Sequence, residues 1–104
     1  MFGKIIGTGS YVPKEIVTNK DLAQYLDTDD TWIRERTGVK SRHISGDKET
    51  TADMAVKAAE KALENSGLLP DEIDLIIVSS VSSNLVLPST ACFVQKAINA
   101  KNAF

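Results

Sequence analysis

An α/β fold is what this sequence predicts, from three observations. The run Ile73-Asp74-Leu75-Ile76-Ile77-Val78 is apolar enough to imply a strand buried on both faces, as in a parallel sheet covered by helices. Amphipathic helical stretches precede and follow that run. At 104 residues, 42% hydrophobic and 25% charged, the chain has a soluble globular composition and the length for one domain or part of one.

From the N-terminus, Lys4-Ile5-Ile6-Gly7-Thr8-Gly9-Ser10-Tyr11 reads as a short strand closed by a tight glycine turn, with Pro13 in the loop beyond. Asn19 is placed as the N-cap of a short helix, Lys20 to Leu26. Thr28, Asp29 and Asp30 then supply capping oxygens and negative charge to a helix carrying Trp32 and Ile33, which Gly38 stops. Thr50-Thr51-Ala52-Asp53 opens the longest helix, ended by Gly67. Its apolar face is mostly alanine and predicts close approach to a sheet or another helix. Pro70 suits the first turn of a short helical segment before the buried run. After a serine-rich loop, Ser79 to Asn84, Pro88-Ser89-Thr90 starts a helix to about Ile98, with Ala91, Val94, Gln95 and Ile98 on one side. Lys101-Asn102-Ala103-Phe104 resembles the beginning of a strand, which predicts that the chain is part of a larger domain.

Several function classes are disfavoured. A net charge of −2 offers no field to gather nucleic acid or an acidic membrane. The longest apolar run falls far short of a membrane span and the N-terminus lacks a signal pattern, so a cytoplasmic location is expected. Gly7-Thr8-Gly9 lacks the third glycine and the following helix of a dinucleotide loop. His43 has no partners at metal spacing and is expected at a surface or interface; no metal site is expected. Cys92 is expected to be buried and inert. Asp27, Asp29 and Asp30 read as helix-capping acids in place of a metal cluster. The loop from Ser79 to Asn84 follows the carboxyl end of a parallel strand, where open α/β sheets bind ligands, and is either a pocket wall or an ordinary connection.

The stretch Thr31-Trp32-Ile33-Arg34-Glu35-Arg36-Thr37-Gly38-Val39-Lys40-Ser41-Arg42-His43-Ile44 sets the only tryptophan among cations. Helical spacing puts Trp32 and Arg36 on one face, able to stack a base and pair a phosphate. Packing of Trp32 in the core with Ile33 is the competing account, and on physics alone it is favoured, since tryptophan is usually largely buried.

Lys4-Ile5-Ile6-Gly7-Thr8-Gly9-Ser10-Tyr11-Val12-Pro13, Thr18-Asn19-x-Asp21-Leu22, Trp32-Ile33-x-x-Arg36-Thr37-Gly38-Val39-x-x-Arg42-His43-Ile44 and Leu87-Pro88-Ser89-Thr90-Ala91-Cys92 stand in one register. Together they resemble the start of beta-ketoacyl-acyl-carrier-protein synthase III, the condensing enzyme that initiates type II fatty-acid synthesis. The resemblance implies the N-terminal part of a thiolase-like fold, layered α/β with a mixed sheet and packed helices. It implies a homodimeric acyltransferase that condenses acetyl-CoA or another acyl-CoA with malonyl-acyl-carrier protein, acyl-CoA being a substrate and no cofactor being needed. It also implies that residues 1–104 end before the nucleophilic cysteine and that the catalytic histidine and asparagine lie further on, so the chain alone is expected to be inactive. Trp32 and Arg36 match positions that sandwich the adenine of coenzyme A, with Thr28 beside it. Val81 and Leu87 match acyl-pocket positions, where family members often carry threonine and phenylalanine. Another thiolase-fold condensing enzyme, such as a polyketide or quinolone priming synthase or hydroxymethylglutaryl-CoA synthase, and a non-catalytic α/β binding module are the alternatives.

Overall fold

A computed structural model describes residues 1–83 and 85–104; Asn84, the last residue of the expected loop wall, lies outside the described residues. The chain divides into two compact units, Val12–Lys48 and Met1–Tyr11 with Glu49–Phe104.

In Val12–Lys48, strand β1 (Glu15–Thr18) pairs antiparallel with β2 (Ser41–Ile44), with Glu15 opposite Ile44 and Thr18 opposite Ser41. Neither strand is foreshadowed by the apolar pattern: each has four residues, and β2 is mostly polar and exposed. Helices α1 (Asn19–Leu22) and α2 (Asp30–Thr37) fill the excursion between them. The cap of α1 is Thr18, one residue before the expected one. Its hydroxyl accepts from the Asp21 amide while the Asp21 carboxylate accepts from the Thr18 N–H, a reciprocal capping box. The helix also stops at Leu22, four residues short of the expected end. Asn19, freed from capping, is buried.

The other unit is built on helix α3 (Thr51–Ser66), capped by Thr50 with Asp53 in a second capping box and closed by Gly67 at φ 72°. Helix α4 (Thr90–Ile98) packs against α3. Val94, Ile98 and Ala100 form the core, with Ala55, Ala59 and Leu63 of α3 against them. Pro70–Glu72 make one turn of 3-10 helix, as the proline predicts.

Gly7 and Gly9 are not a tight turn. The segment containing them lies on the flank of α3, where a Cβ on Gly9 would stand 2.2 Å from the Ala58 carbonyl oxygen and one on Gly7 2.7 Å from Ser66 Cβ. The alanine face does admit a close neighbour, as expected. The segment forms no assigned strand, and two of its carbonyls are taken by α3 side chains: Asn65 Nδ2 donates to Thr8 at 2.6 Å and Lys61 Nζ to Ser10 at 3.0 Å. Tyr11 donates to the Glu49 carboxylate, which also takes Lys57 Nζ at 3.0 Å, and this fixes the end of the segment.

The apolar run Ile73 to Val78 is likewise not an assigned strand, and the expected burial on both faces is not met. Ile73, Ile76 and Val78 pack on the α3–α4 core, whereas Leu75 and Ile77 are 56% and 82% exposed. Its bonding is still that of a parallel pair: Phe104 N–H donates to the Asp74 carbonyl at 2.9 Å and Ile76 N–H to the Phe104 carbonyl at 3.2 Å. One such pair is too little ladder to define a strand, which is why a parallel sheet anticipated from composition is represented by one bonded register.

Candidate functional site

The face on which Trp32 sits is fixed locally by sequence. Asp29 caps α2, its Oδ1 accepting from the Trp32 N–H at 2.8 Å, and Gly38 ends it in the left-handed conformation at φ 74°. Between those stops the helix turns Ile33 inward, at 9% exposure, and leaves Trp32 outward, at 54%. Position 33 therefore supplies the core contact, and Trp32 is not the core residue that general burial tendencies favour. Four residues on, the Arg36 guanidinium lies over the indole, 5.7 Å from the ring centroid.

Two open clefts share Asp29 and Trp32 in their walls. One, of about 650 Å³, is lined also by Leu26, Thr28, Ile33, Thr37 and Arg42. The other is lined by Lys20, Ala23 and Glu35 among others. Thr28 Oγ1 is buried without a hydrogen-bond partner, an arrangement that ordinarily costs about 1–3 kcal/mol. An apolar wall and a flat π face thus meet in one cleft, with the Thr28 hydroxyl enclosed in its wall. Of the expected site residues, Trp32, Arg36 and Thr28 are brought together; Arg36 reaches the ring without lining either cleft.

Behind the cleft, Asn19 Nδ2 donates to Asp30 Oδ1 and to the Val39 carbonyl, both at 2.8 Å, and Arg42 donates to Asn19 Oδ1 at 2.7 Å. The Asn19 amide holds the Asp30 carboxyl below the usual carboxylate range against opposing desolvation, with Arg34, 3.5 Å away, adding to the effect. Asn19 and Arg42 are the site-supporting residues that patterning missed. The signal available was Thr18-x-x-Asp21, a capping-box spacing that assigns the cap to Thr18 and releases Asn19 for another task.

Val81 and Leu87 are fully and 80% exposed, and neither lines a described cleft. In the serine loop, Ser82 is tied by its carbonyl to Thr51 Oγ1 at 2.7 Å. His43 is exposed, as expected, with Nδ1 2.6 Å from the Pro13 carbonyl. Cys92 is exposed and not buried: α4 turns Thr90, Val94 and Ile98 inward, and position 92 falls on the opposite side. Its Sγ meets Ser89 Oγ at 3.4 Å. Asp29 and Asp30 act as helix-terminal acids, Asp27 lines the cleft beside Thr28, and no metal-holding cluster of His, Cys, Asp or Glu occurs among the described residues.

Comparison with known proteins gives these residues a setting. The chain is 55% identical over 100 residues to beta-ketoacyl-[acyl-carrier-protein] synthase III of Clostridium acetobutylicum, covering 96% of this chain and 30% of that protein. Against the synthase III of Thiobacillus denitrificans it is 48% identical over 106 residues, covering 99% of this chain and 33% of the other. The solved 3-oxoacyl-[acyl-carrier-protein] synthase III of Aquifex aeolicus superposes with a TM-score of 0.91 at 48% identity, over 97% of this chain and 33% of that one. This chain is homologous to part of beta-ketoacyl-acyl-carrier-protein synthase III. Its fold is accordingly a partial thiolase-like α/β fold, and the chain spans about a third of the length of the synthase III relatives it matches. The priming beta-ketosynthase of the R1128 polyketide pathway superposes comparably, with a TM-score of 0.92 at 37% identity, over 97% of this chain and 30% of that one. No family model matches. Among the described residues, no helix is long and apolar enough to cross a membrane.

Proposed function

We propose that this chain supplies the coenzyme-A-gripping portion of an initiating condensing enzyme, one that joins acyl-CoA to malonyl-acyl-carrier protein with loss of CO2. The supporting observation is the exposed Trp32 face, with Arg36 above it and Thr28 in the wall of the same cleft. Adenine offers a π face for the indole, and a rotation of Thr28 that exposes its buried hydroxyl gives the ring nitrogens and amine a partner. Flat rings stack roughly 3.4 Å apart, so a base between indole and guanidinium needs about 6.8 Å. The guanidinium carbon now lies 5.7 Å from the ring centroid, so an outward shift of about 1 Å by Arg36 seats the base between the two planes.

In the proposed reaction the acyl group passes from coenzyme A to a cysteine thiolate, releasing the coenzyme A thiol. The malonyl thioester then loses CO2, and the carbanion attacks the acyl-enzyme, freeing the cysteine. We assign that cysteine, and the histidine and asparagine assisting decarboxylation, to residues outside this chain; residues 1–104 are one part of a thiolase-like half. We leave Cys92 and His43 out of the three because the resemblance matches Cys92 to a non-nucleophilic helix position and His43 to the Arg42-His43-Ile44 element. Val81 and Leu87 are assigned to the acyl pocket, completed in a homodimer; their exposure here fits side chains that await a partner surface.

In the full-length parent, Trp32→Ala and Arg36→Ala raise the acyl-CoA KM. Base stacking is worth about 1–3 kcal/mol, or roughly 5–150-fold. An unchanged KM in both variants overturns the assignment. The similarity to a polyketide priming synthase favours a second reading, with the same grip serving a different acceptor. Steady consumption of malonyl-acyl-carrier protein without any polyketide partner supports the first. The isolated 104 residues form no acetoacetyl-acyl-carrier protein on either account.

A further inference from the structure

We propose that Asn19 is a positioning residue for the Trp32 face, clasping α2 through its amide; the proposal rests on the coenzyme A reading above. Asn19 is 1% exposed, and each of its two side-chain polar atoms faces groups of a single hydrogen-bonding sense. Arg42 only donates, so the Asn19 oxygen must face it; the Asp30 carboxylate and Val39 carbonyl only accept, so the nitrogen must face them. Asp30 is the first residue of α2, and Val39 lies on the return just past Gly38. One amide therefore ties the start of the helix to the chain leaving it. The Asn19 backbone N–H donates to the Lys40 carbonyl at 3.3 Å, anchoring the clasp to the approach to β2. The same side chain holds Arg42, which Val17 also fixes through its carbonyl at 3.3 Å and which lines the cleft with Thr28 and Trp32.

No residue of the same size can replace this pattern. Aspartate at 19 keeps the Arg42 contact but sets a carboxylate against Asp30 and the Val39 carbonyl, so Asn19→Asp opens the clasp selectively. In the full-length parent it raises the acyl-CoA KM by roughly tenfold, the scale of a lost hydrogen bond to a charged group. The kcat at saturating acyl-CoA stays within about twofold, because no reacting atom is touched. Asp30→Asn added to Asn19→Asp lets the amide at 30 donate to the carboxylate at 19 and returns KM to within about threefold of the parent.

An unchanged KM in a folded Asn19→Asp variant overturns the proposal, as does a double variant no better than the single one. Should Asn19→Asp fail to fold, Asp30→Asn alone decides: it removes the charge from the clasp and raises KM by about two- to threefold, and an unchanged KM overturns the proposal. Trp32→Ala run in parallel separates the two claims. If it leaves KM unchanged, the coenzyme A reading fails; if it raises KM while the Asn19 and Asp30 variants do not, only the clasp fails.

Discussion

Trp32 illustrates how a single neighbour decides the fate of a large apolar side chain. Ile33 occupies the core position of α2, and one residue is a rotation of about 100° on a helix. The indole is left at the surface with a cation over it, an arrangement worth about 0.5–1 kcal/mol at exposed sites. Ile33→Ala removes the contact that turns this face outward. It should lower the melting temperature, in keeping with a loss of about 2–5 kcal/mol for a buried isoleucine, without abolishing coenzyme A binding while α2 remains folded. Calorimetric melting with a coenzyme A titration on the same sample checks both halves. Gly9 is as sharply constrained, by space and not by φ. A methyl group there meets the α3 backbone, so Gly9→Ala should destabilise by more than about 1 kcal/mol. Gly3→Ala, with open space around it, should be neutral or slightly stabilising in the same chemical denaturation experiment.

Among the elements, the helices were legible in the sequence and the strands were not. Gly38 and Gly67 stop α2 and α3 where the pattern places them, Pro70 opens its helical turn, and Pro88 stands just before α4. Helical signals are local, because caps and 3.6-residue periodicity lie within the segment itself. Strand pairing depends on a partner that local sequence does not identify. Glu15–Thr18 and Ser41–Ile44 are only four residues each and 22 residues apart, so nothing in either announces the other. Conversely, the apolar run at Ile73 has the composition of a strand but bonds in parallel register only to Phe104 among the described residues. Cys92 was misplaced for a related reason, since chemical type was given weight that helical phase should have carried. The capping boxes also carry a pH dependence. The Thr18 and Thr50 side chains, followed by their backbone N–H groups, hold Asp21 and Asp53 below the ordinary carboxylate range. Both groups therefore add stability above the unfolded carboxylate pKa, and that stability is lost as pH falls through their lower folded values. The melting temperature gap between the parent and Asp53→Asn should be widest near neutrality and close in acid; a gap that widens on acidification contradicts this account of the box.

At the scale of the whole molecule, the two units carry different parts of the functional assignment and can be tested separately. Val12–Lys48 holds Thr28, Trp32, Arg36 and the Asn19 clasp; Glu49–Phe104 holds Val81 and Leu87. The proposed adenine grip rests on a motif register that ties Trp32 to Arg36, and the structure adds an open cleft walled by both Trp32 and Thr28. The residues proposed for the acyl pocket, Val81 and Leu87, are surface residues here. Substituting them in the full-length parent should shift acyl-length preference without changing affinity for free coenzyme A, whereas substitutions at Trp32 should do the reverse. The most direct measurement is a calorimetric titration of coenzyme A into the full-length parent, its Trp32→Ala variant and its Trp32→Phe variant. Loss of roughly 5–150-fold in affinity for alanine, largely recovered by phenylalanine's flat ring, is the predicted result; equal affinity for all three would contradict the account.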